Sequence, residues 1–184
     1  MENDHPFTAT TSGRLTGAAL WRDHRRFDME HSHESLNGFP VVIALPVLWG
    51  DQDAFGHVNN LRYLSWAETA RVEYLVRIGL WATLPPDGVG PILVSISCDF
   101  KRPVTYPDTV LVGARVTRIG NSSIKIEHRI VSQSLNEVVA EVDSTIVVLD
   151  YSRMKSVRVP EDVRKAIESL EGRAFEAPLS DNGR

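Results

Sequence analysis

From Phe39 to Trp49 almost every residue is apolar, and with Pro46 tolerable at an edge or a bulge this run predicts a mostly buried first strand. The period then changes. On a helical wheel Tyr63, Ala67, Ala70, Tyr74 and Ile78 share one side with Leu64 and Leu75, while Arg62, Ser65, Thr69, Glu73 and Arg77 share the other, which predicts one long amphipathic helix. Asn59 or Asn60 offers the N-cap and Gly79 the stop. Arg71 interrupts the apolar side. Glu68, three residues earlier, is its expected partner, and positioning of the helix is the favoured role of that pair over catalysis.

Leu84 to Gly90 holds two prolines and two glycines and reads as a loop. Beyond it the period is two. Ile92, Val94, Ile96, Cys98 and Phe100 alternate with Leu93, Ser95, Ser97, Asp99 and Lys101, predicting a strand with one apolar and one mostly polar face. Thr109 to Ile119 alternates similarly, Gly120-Asn121 marks a tight turn, Ser123 to Gln133 is the next strand, Leu135-Asn136 turns again, and Val138 to Leu149 is the last. These four strands are expected in antiparallel meander connections. A closing helix opens at Pro160-Glu161-Asp162, places Val163, Ile167 and Leu170 on one side, and stops at Gly172. Residues 1–38 are read as an appendage in which Ala18 to Met29 forms at most a helical turn or two, 39–151 as the domain, and 152–184 as a C-terminal extension. The class is α+β: an antiparallel five-stranded sheet with one long helix, which covers only one face.

Ordinary composition, 42% hydrophobic and 24% charged over 184 residues, supplies a real core for one domain. A net charge of -4 without a basic run argues against nucleic acid or an anionic membrane as partner, and leaves room for a local basic patch that binds one phosphorylated ligand. The single cysteine, Cys98, excludes an internal disulfide and a cysteine-based zinc cluster, and points to a reducing compartment. No apolar run reaches the roughly 20 residues that span a bilayer, and no signal pattern opens the chain, so the cytoplasm is expected.

Chemistry concentrates between the first strand and the helix, in Asp51-Gln52-Asp53-Ala54-Phe55-Gly56-His57-Val58-Asn59-Asn60. A helix start carries unpaired N–H groups and partial positive charge, so Asp53 beside it is expected to remain ionised and to serve as base or nucleophile. The same donors, with the Asn60 amide among them, suit a developing oxyanion.

The order of elements and three motifs resemble the hotdog fold, in which the sheet wraps around a central helix, and within it the acyl-CoA thioesterases of the 4-hydroxybenzoyl-CoA type. The motifs are Asp51-x-Asp53-x-x-Gly56-x-Val58-x-Asn60-x-x-Tyr63, Glu68-x-x-Arg71-x-Glu73, and Phe100-Lys101-Arg102-Pro103-x-x-Tyr106-x-Asp108, within roughly Val41 to Asp150. By position the resemblance implies that Asp53 is the catalytic carboxylate and that the Asn60 backbone N–H polarises the thioester carbonyl. His57 matches a catalytic histidine of acyl-carrier-protein thioesterases, although Phe55 stands where that branch has an asparagine. His57 and Asn59 are assigned to orienting water or substrate, Tyr63 to the substrate site, and Glu68 is a reserve carboxylate, since other hotdog thioesterases use a helix glutamate. Lys101 and Arg102 are candidates for the CoA phosphates. The resemblance further implies an acyl-CoA substrate, no metal or cofactor, and a homodimer or a dimer of dimers. Unpaired sheet edges and uncovered apolar surface on the helix argue for the same association.

Rival readings are an enoyl-CoA hydratase or dehydratase, an acyl-carrier-protein thioesterase, and a non-catalytic acyl-CoA-binding protein. The hydratase is disfavoured because Asp51 and His57 stand one residue too far apart for its motif. A calcium loop fails because Phe55 and Arg62 occupy ligand positions. In the tail, Glu30-His31-Ser32-His33-Glu34 offers metal-ligand chemistry, but a solvated tail is the preferred reading. Cys98 on the apolar face of a strand is expected to pack rather than react, and His128, among Ile124, Ile126 and Ile130, to be a satisfied interior or interface histidine rather than a ligand. No Gly-x-Ser-x-Gly elbow is present.

Overall fold

The computed structural model describes residues 33–81 and 88–176. The Ala18–Met29 helical turn and most of the Glu30–Glu34 cluster lie outside them. Five long strands, β1 (Val41–Pro46), β2 (Val89–Phe100), β3 (Thr109–Ile119), β4 (Ser123–Ser132) and β5 (Glu137–Asp150), form one antiparallel sheet with the two-residue β6 (Lys155–Ser156) beside β5. The long helix α1 runs from Asn60 to Arg77 on its concave face. Its cap is Asn59, whose Oδ1 accepts the Leu61 N–H at 2.9 Å, and Gly79 at φ 73° turns the chain after it. Ala67 and Ala70, fully buried, bring the helix close to the sheet, and Tyr63, Tyr74 and Leu75 fill the space around them. Trp66, which the wheel left aside, is buried as well.

The strand order is β1-β3-β4-β5-β2. β3, β4 and β5 form the expected meander, but β2 does not pair with β3. It crosses to the far edge and pairs with β5, while β1 takes the place beside β3. The physical reason is the connection from Lys101 to Asp108, too long for a hairpin and held across the end of the sheet. The Tyr63 hydroxyl donates to the Arg102 carbonyl and accepts the Val104 N–H at 3.1 Å, and Val58 N–H donates to Val104 O at 2.8 Å.

Three bulges reset the alternation. Thr117 on β3 and Val139 on β5 are skipped by their partner strands, and so is Val94 on β2. Val94 changes the face of everything before it: Ile96, Cys98 and Phe100 lie opposite the concave-facing Ser144, Val142 and Ala140, whereas Ile92 lies opposite Val147 on the outer face. The single apolar face expected from Ile92 to Phe100 is therefore two half-faces. The first apolar run also ends early, because Leu48 and Trp49 leave the sheet in a short 3-10 turn (Trp49–Asp51) and are exposed.

The outer face carries a second cluster. Leu36 and Phe39 pack on Leu111 and Val131. Phe39 lies so close over Gly113 that a Cβ there would stand 2.8 Å from its ring, which accounts for the glycine. The segment from His33 thus joins the domain's packing. At the other end α2 (Glu161–Glu171) buries Val163 and Ile167 in the same core as α1.

Candidate active site

Asp53 to His57 is a tight loop built on the Asp53 side chain. Its Oδ1 accepts the Phe55 N–H at 2.8 Å and the His57 N–H at 3.4 Å, and its own N–H donates to the His57 carbonyl at 2.8 Å. Asp53 remains exposed, as do His57 and the loop's tip, Phe55. The loop is fixed from behind by Asp51, which is 4% exposed. One Asp51 oxygen accepts the Leu48 N–H at 2.9 Å, the other meets Arg62 Nε at 2.9 Å, and its carbonyl accepts the Asn59 N–H at 2.8 Å. The two carboxylates, two residues apart, are divided: Asp51 is in the framework and Asp53 faces solvent.

An open cleft of about 390 Å³ is lined by Asp53, His57, Val58, Asn60, Tyr63 and the run Phe100-Lys101-Arg102-Pro103. Asn59 serves the helix as cap rather than lining this cleft, and the Asn60 N–H, the first of α1, has no acceptor among the described residues. A free donor at a helix start, beside an exposed carboxylate, gives the cleft a partial positive charge and a base on one wall. The opposite wall is anchored at the Val139 bulge, whose carbonyl accepts the Lys101 and Arg102 N–H groups at 2.8 and 3.2 Å.

The remaining expected site residues are placed differently. Tyr63 lines the cleft with its ring, edge-to-face on Phe100 at 5.2 Å, but its hydroxyl is engaged by Arg102 and Val104, and burial raises its pKa. Lys101 Nζ lies 3.3 Å from Glu141 and Arg102 Nε 3.0 Å from Glu137, so both cations already have carboxylate partners. Glu68 is exposed and outside the cleft, 3.6 Å from Arg71 Nη2. Arg71 itself is buried, and burial works against its charge while Glu68 supports it. Beneath it His128 is fully buried, its Nδ1 3.2 Å from the Val142 carbonyl, and burial with the neighbouring Arg71 charge lowers its pKa to about 4. The thiol of Cys98, half-buried on β2, is pushed up to about 11 by burial and by Asp99.

His33, the one histidine of the tail cluster within the described residues, caps the turn Glu34–Leu36 through the Ser35 N–H. Among the described residues no group of three or more His, Cys, Asp or Glu side chains is placed to hold a metal ion, and no helix is long and apolar enough to cross a membrane.

A curled antiparallel sheet around one long helix, with a polar loop delivering the chain into that helix, defines the hotdog class. The chain belongs to the thioesterase-like superfamily, whose family model matches residues 47–167. A thioesterase of Thermus thermophilus, solved in complex with coenzyme A and zinc, is 32% identical, with a TM-score of 0.66 over 76% of this chain and 99% of that one. The acyl-CoA thioesterase YbgC of Haemophilus influenzae is 26% identical over 136 residues, 73% of this chain and 97% of that protein. The long-chain acyl-CoA thioesterase FadM of Escherichia coli is 24% identical over 118 residues, 64% of this chain and 89% of that protein.

Proposed function

We propose that this protein hydrolyses acyl-CoA thioesters to the free acid and CoA. The observation that carries the reading is the exposed Asp53 carboxylate lining one cleft with Asn60, whose N–H has no acceptor among the described residues. Donors at a helix start stabilise charge that develops on the thioester oxygen, and a solvent-facing carboxylate either attacks the carbonyl carbon or removes a proton from an attacking water. In both routes the C–S bond breaks, the CoA thiolate leaves and takes up a proton, and water supplies the second acid oxygen. His57, on the same loop, orients water or the leaving group. Asn59 acts indirectly as the cap that presents Asn60. CoA rather than a carrier protein is favoured by the relatives named above, and Lys101 and Arg102 would exchange their surface carboxylates for its phosphates.

Association into a homodimer or a dimer of dimers is part of the same reading. β2 is an edge strand with Leu93, Val94 and Phe100 exposed, and a second β2 would satisfy its free backbone groups. A cytoplasmic location accords with one half-buried thiol and no disulfide. The test is thiol release from short, long, branched and aromatic acyl-CoAs, beside the Asp53→Asn variant. Release by the wild type and its loss in the variant are expected, while hydration of an enoyl-CoA without thiol release would overturn the reading.

A further inference from the structure

Lys101 and Arg102 line the cleft, and their backbone is fixed from two sides. Their N–H groups donate to the Val139 carbonyl at 2.8 and 3.2 Å, and the Arg102 carbonyl accepts the Tyr63 hydroxyl at 3.4 Å. Only the side chains are left to move. Both reach back to β5, to carboxylates on either side of the bulged Val139: Lys101 Nζ lies 3.3 Å from Glu141 and Arg102 Nε 3.0 Å from Glu137. The two pairs are not equivalent. Glu141 also stands 3.4 Å from Arg129 Nη2, so it keeps a cation when Lys101 leaves. Glu137 has Arg102 as its only cation within ion-pair distance among the described residues, and it engages that guanidinium through Nε alone. The Arg102 side chain is 61% exposed and that of Glu137 55%, so the pair is open to exchange from solvent. Glu137 itself does not line the cleft.

We propose that Glu137 is a built-in competitor for the phosphates of CoA: it holds Arg102 in the ligand-free protein, retakes it when CoA leaves, and so sets how tightly substrate and product are held. The inference rests on the thioesterase reading, with Arg102 as a phosphate contact, and extends it to a residue outside the cleft. An exposed ion pair contributes little against water. A phosphate offers the guanidinium two parallel bonds where Glu137 takes one, so the phosphate wins the exchange, by a margin that the carboxylate reduces. The nucleotide end is the same in acyl-CoA, in the transition state and in free CoA. Holding it more tightly therefore lowers KM without speeding cleavage of the C–S bond, and it retains the product. A carboxylate that weakens this one contact leaves the chemical step untouched and quickens the departure of CoA.

Glu137→Gln removes the charge and keeps the size of an exposed side chain. In this variant CoA should bind about 2–5-fold more tightly by calorimetry at low ionic strength, the range an exposed ion pair spans. KM for an acyl-CoA and the inhibition constant of product CoA should fall by the same factor. The single-turnover rate of thiol release at saturating acyl-CoA should not change, nor should KM for the matching acyl-pantetheine, which carries no phosphate. Glu141→Gln should tighten CoA less, because Lys101 leaves a carboxylate that Arg129 still holds. In an Arg102→Ala background the Glu137→Gln change should have no further effect on CoA binding. The competition is overturned if CoA binds Glu137→Gln no more tightly than the wild type, or if the tightening persists undiminished in Arg102→Ala, which would make it a general effect of surface charge. Tighter CoA binding by Glu137→Gln in a protein that releases no thiol from any acyl-CoA would sustain the competition and remove the hydrolase reading instead.

Discussion

Asp51 Oδ1 stands 2.9 Å from Arg62 Nε and joins the end of the first strand to the first turn of α1, while Asp51 Oδ2 accepts the Leu48 N–H. The carboxylate is buried and the guanidinium half-exposed. The ion pair itself therefore contributes little, and the part-buried bond to Leu48 carries most of the stabilisation.

Replacing Asp51 by asparagine leaves one oxygen for two donors. Because the asparagine oxygen can keep the Leu48 bond, the variant should lose only about 1 kcal/mol of stability by urea or thermal unfolding and still release thiol. An unchanged melting temperature with abolished activity would instead put Asp51 in the chemistry.

For Asp53 the expectation is the reverse. An asparagine at 53 keeps an oxygen for the Phe55 and His57 N–H groups, so the loop should persist while the charge and basicity are lost. kcat should fall by roughly 10²–10⁴ with little change in KM or melting temperature. His57→Ala should cost less. Glu68→Gln, exposed and outside the cleft, should remain within a few-fold of wild type in kcat. Survival of activity in Asp53→Asn with loss in Glu68→Gln would move the carboxylate onto the helix.

What the sequence made legible follows from how local each signal is. The helix from Asn60, its cap and its stop at Gly79 are written in neighbouring residues and were readable, as was the pairing of Arg71 with Glu68. The hotdog architecture was readable from the order of elements. The bulge at Val94 was not, because Ile92-Leu93-Val94 is continuously apolar and either phase of the alternation fits it. The placing of β2 beside β5 depends on the tying of residues 102–104 by Tyr63, a contact made across the fold. For the same reason the carboxylates facing Lys101 and Arg102 could not be read: Glu141 and Glu137 are close to them only once β2 and β5 pair.

The C-terminal helix is tied to the core through Glu171. Its Oε1 accepts the Tyr74 hydroxyl at 2.6 Å and also the Val116 N–H, just before the Thr117 bulge. Burial and this carboxylate keep the Tyr74 phenol far above its ordinary pKa. Glu171→Ala leaves a buried hydroxyl and an amide without an acceptor and should cost about 2–3 kcal/mol, whereas Glu171→Gln, which keeps an oxygen, should cost less. Equal losses in the two variants would show that the charge, not the acceptor, matters.

Stability in mild acid should depend on His128. Its imidazole is fully buried and stays neutral in the fold down to about pH 4, against an ordinary value of 6.5, because burial and the Arg71 charge oppose protonation. The unfolded chain takes up the proton at the ordinary value, so between these two the unfolded state binds more protons than the native state. Stability should therefore be full above about pH 6.5, fall as the pH drops toward 4, and lose no more from this group below it. The shift corresponds to about 3 kcal/mol at ~1.4 kcal/mol per pH unit. The groups nearest in charge are Arg71 and, through it, Glu68, which is exposed and supports the guanidinium rather than the imidazole. His128→Asn keeps an amide donor at the Nδ1 position for the Val142 carbonyl but cannot titrate, so its melting temperature should change less with pH across this window than that of the wild type. Parallel profiles for the two proteins would assign the acid sensitivity to the carboxylates instead.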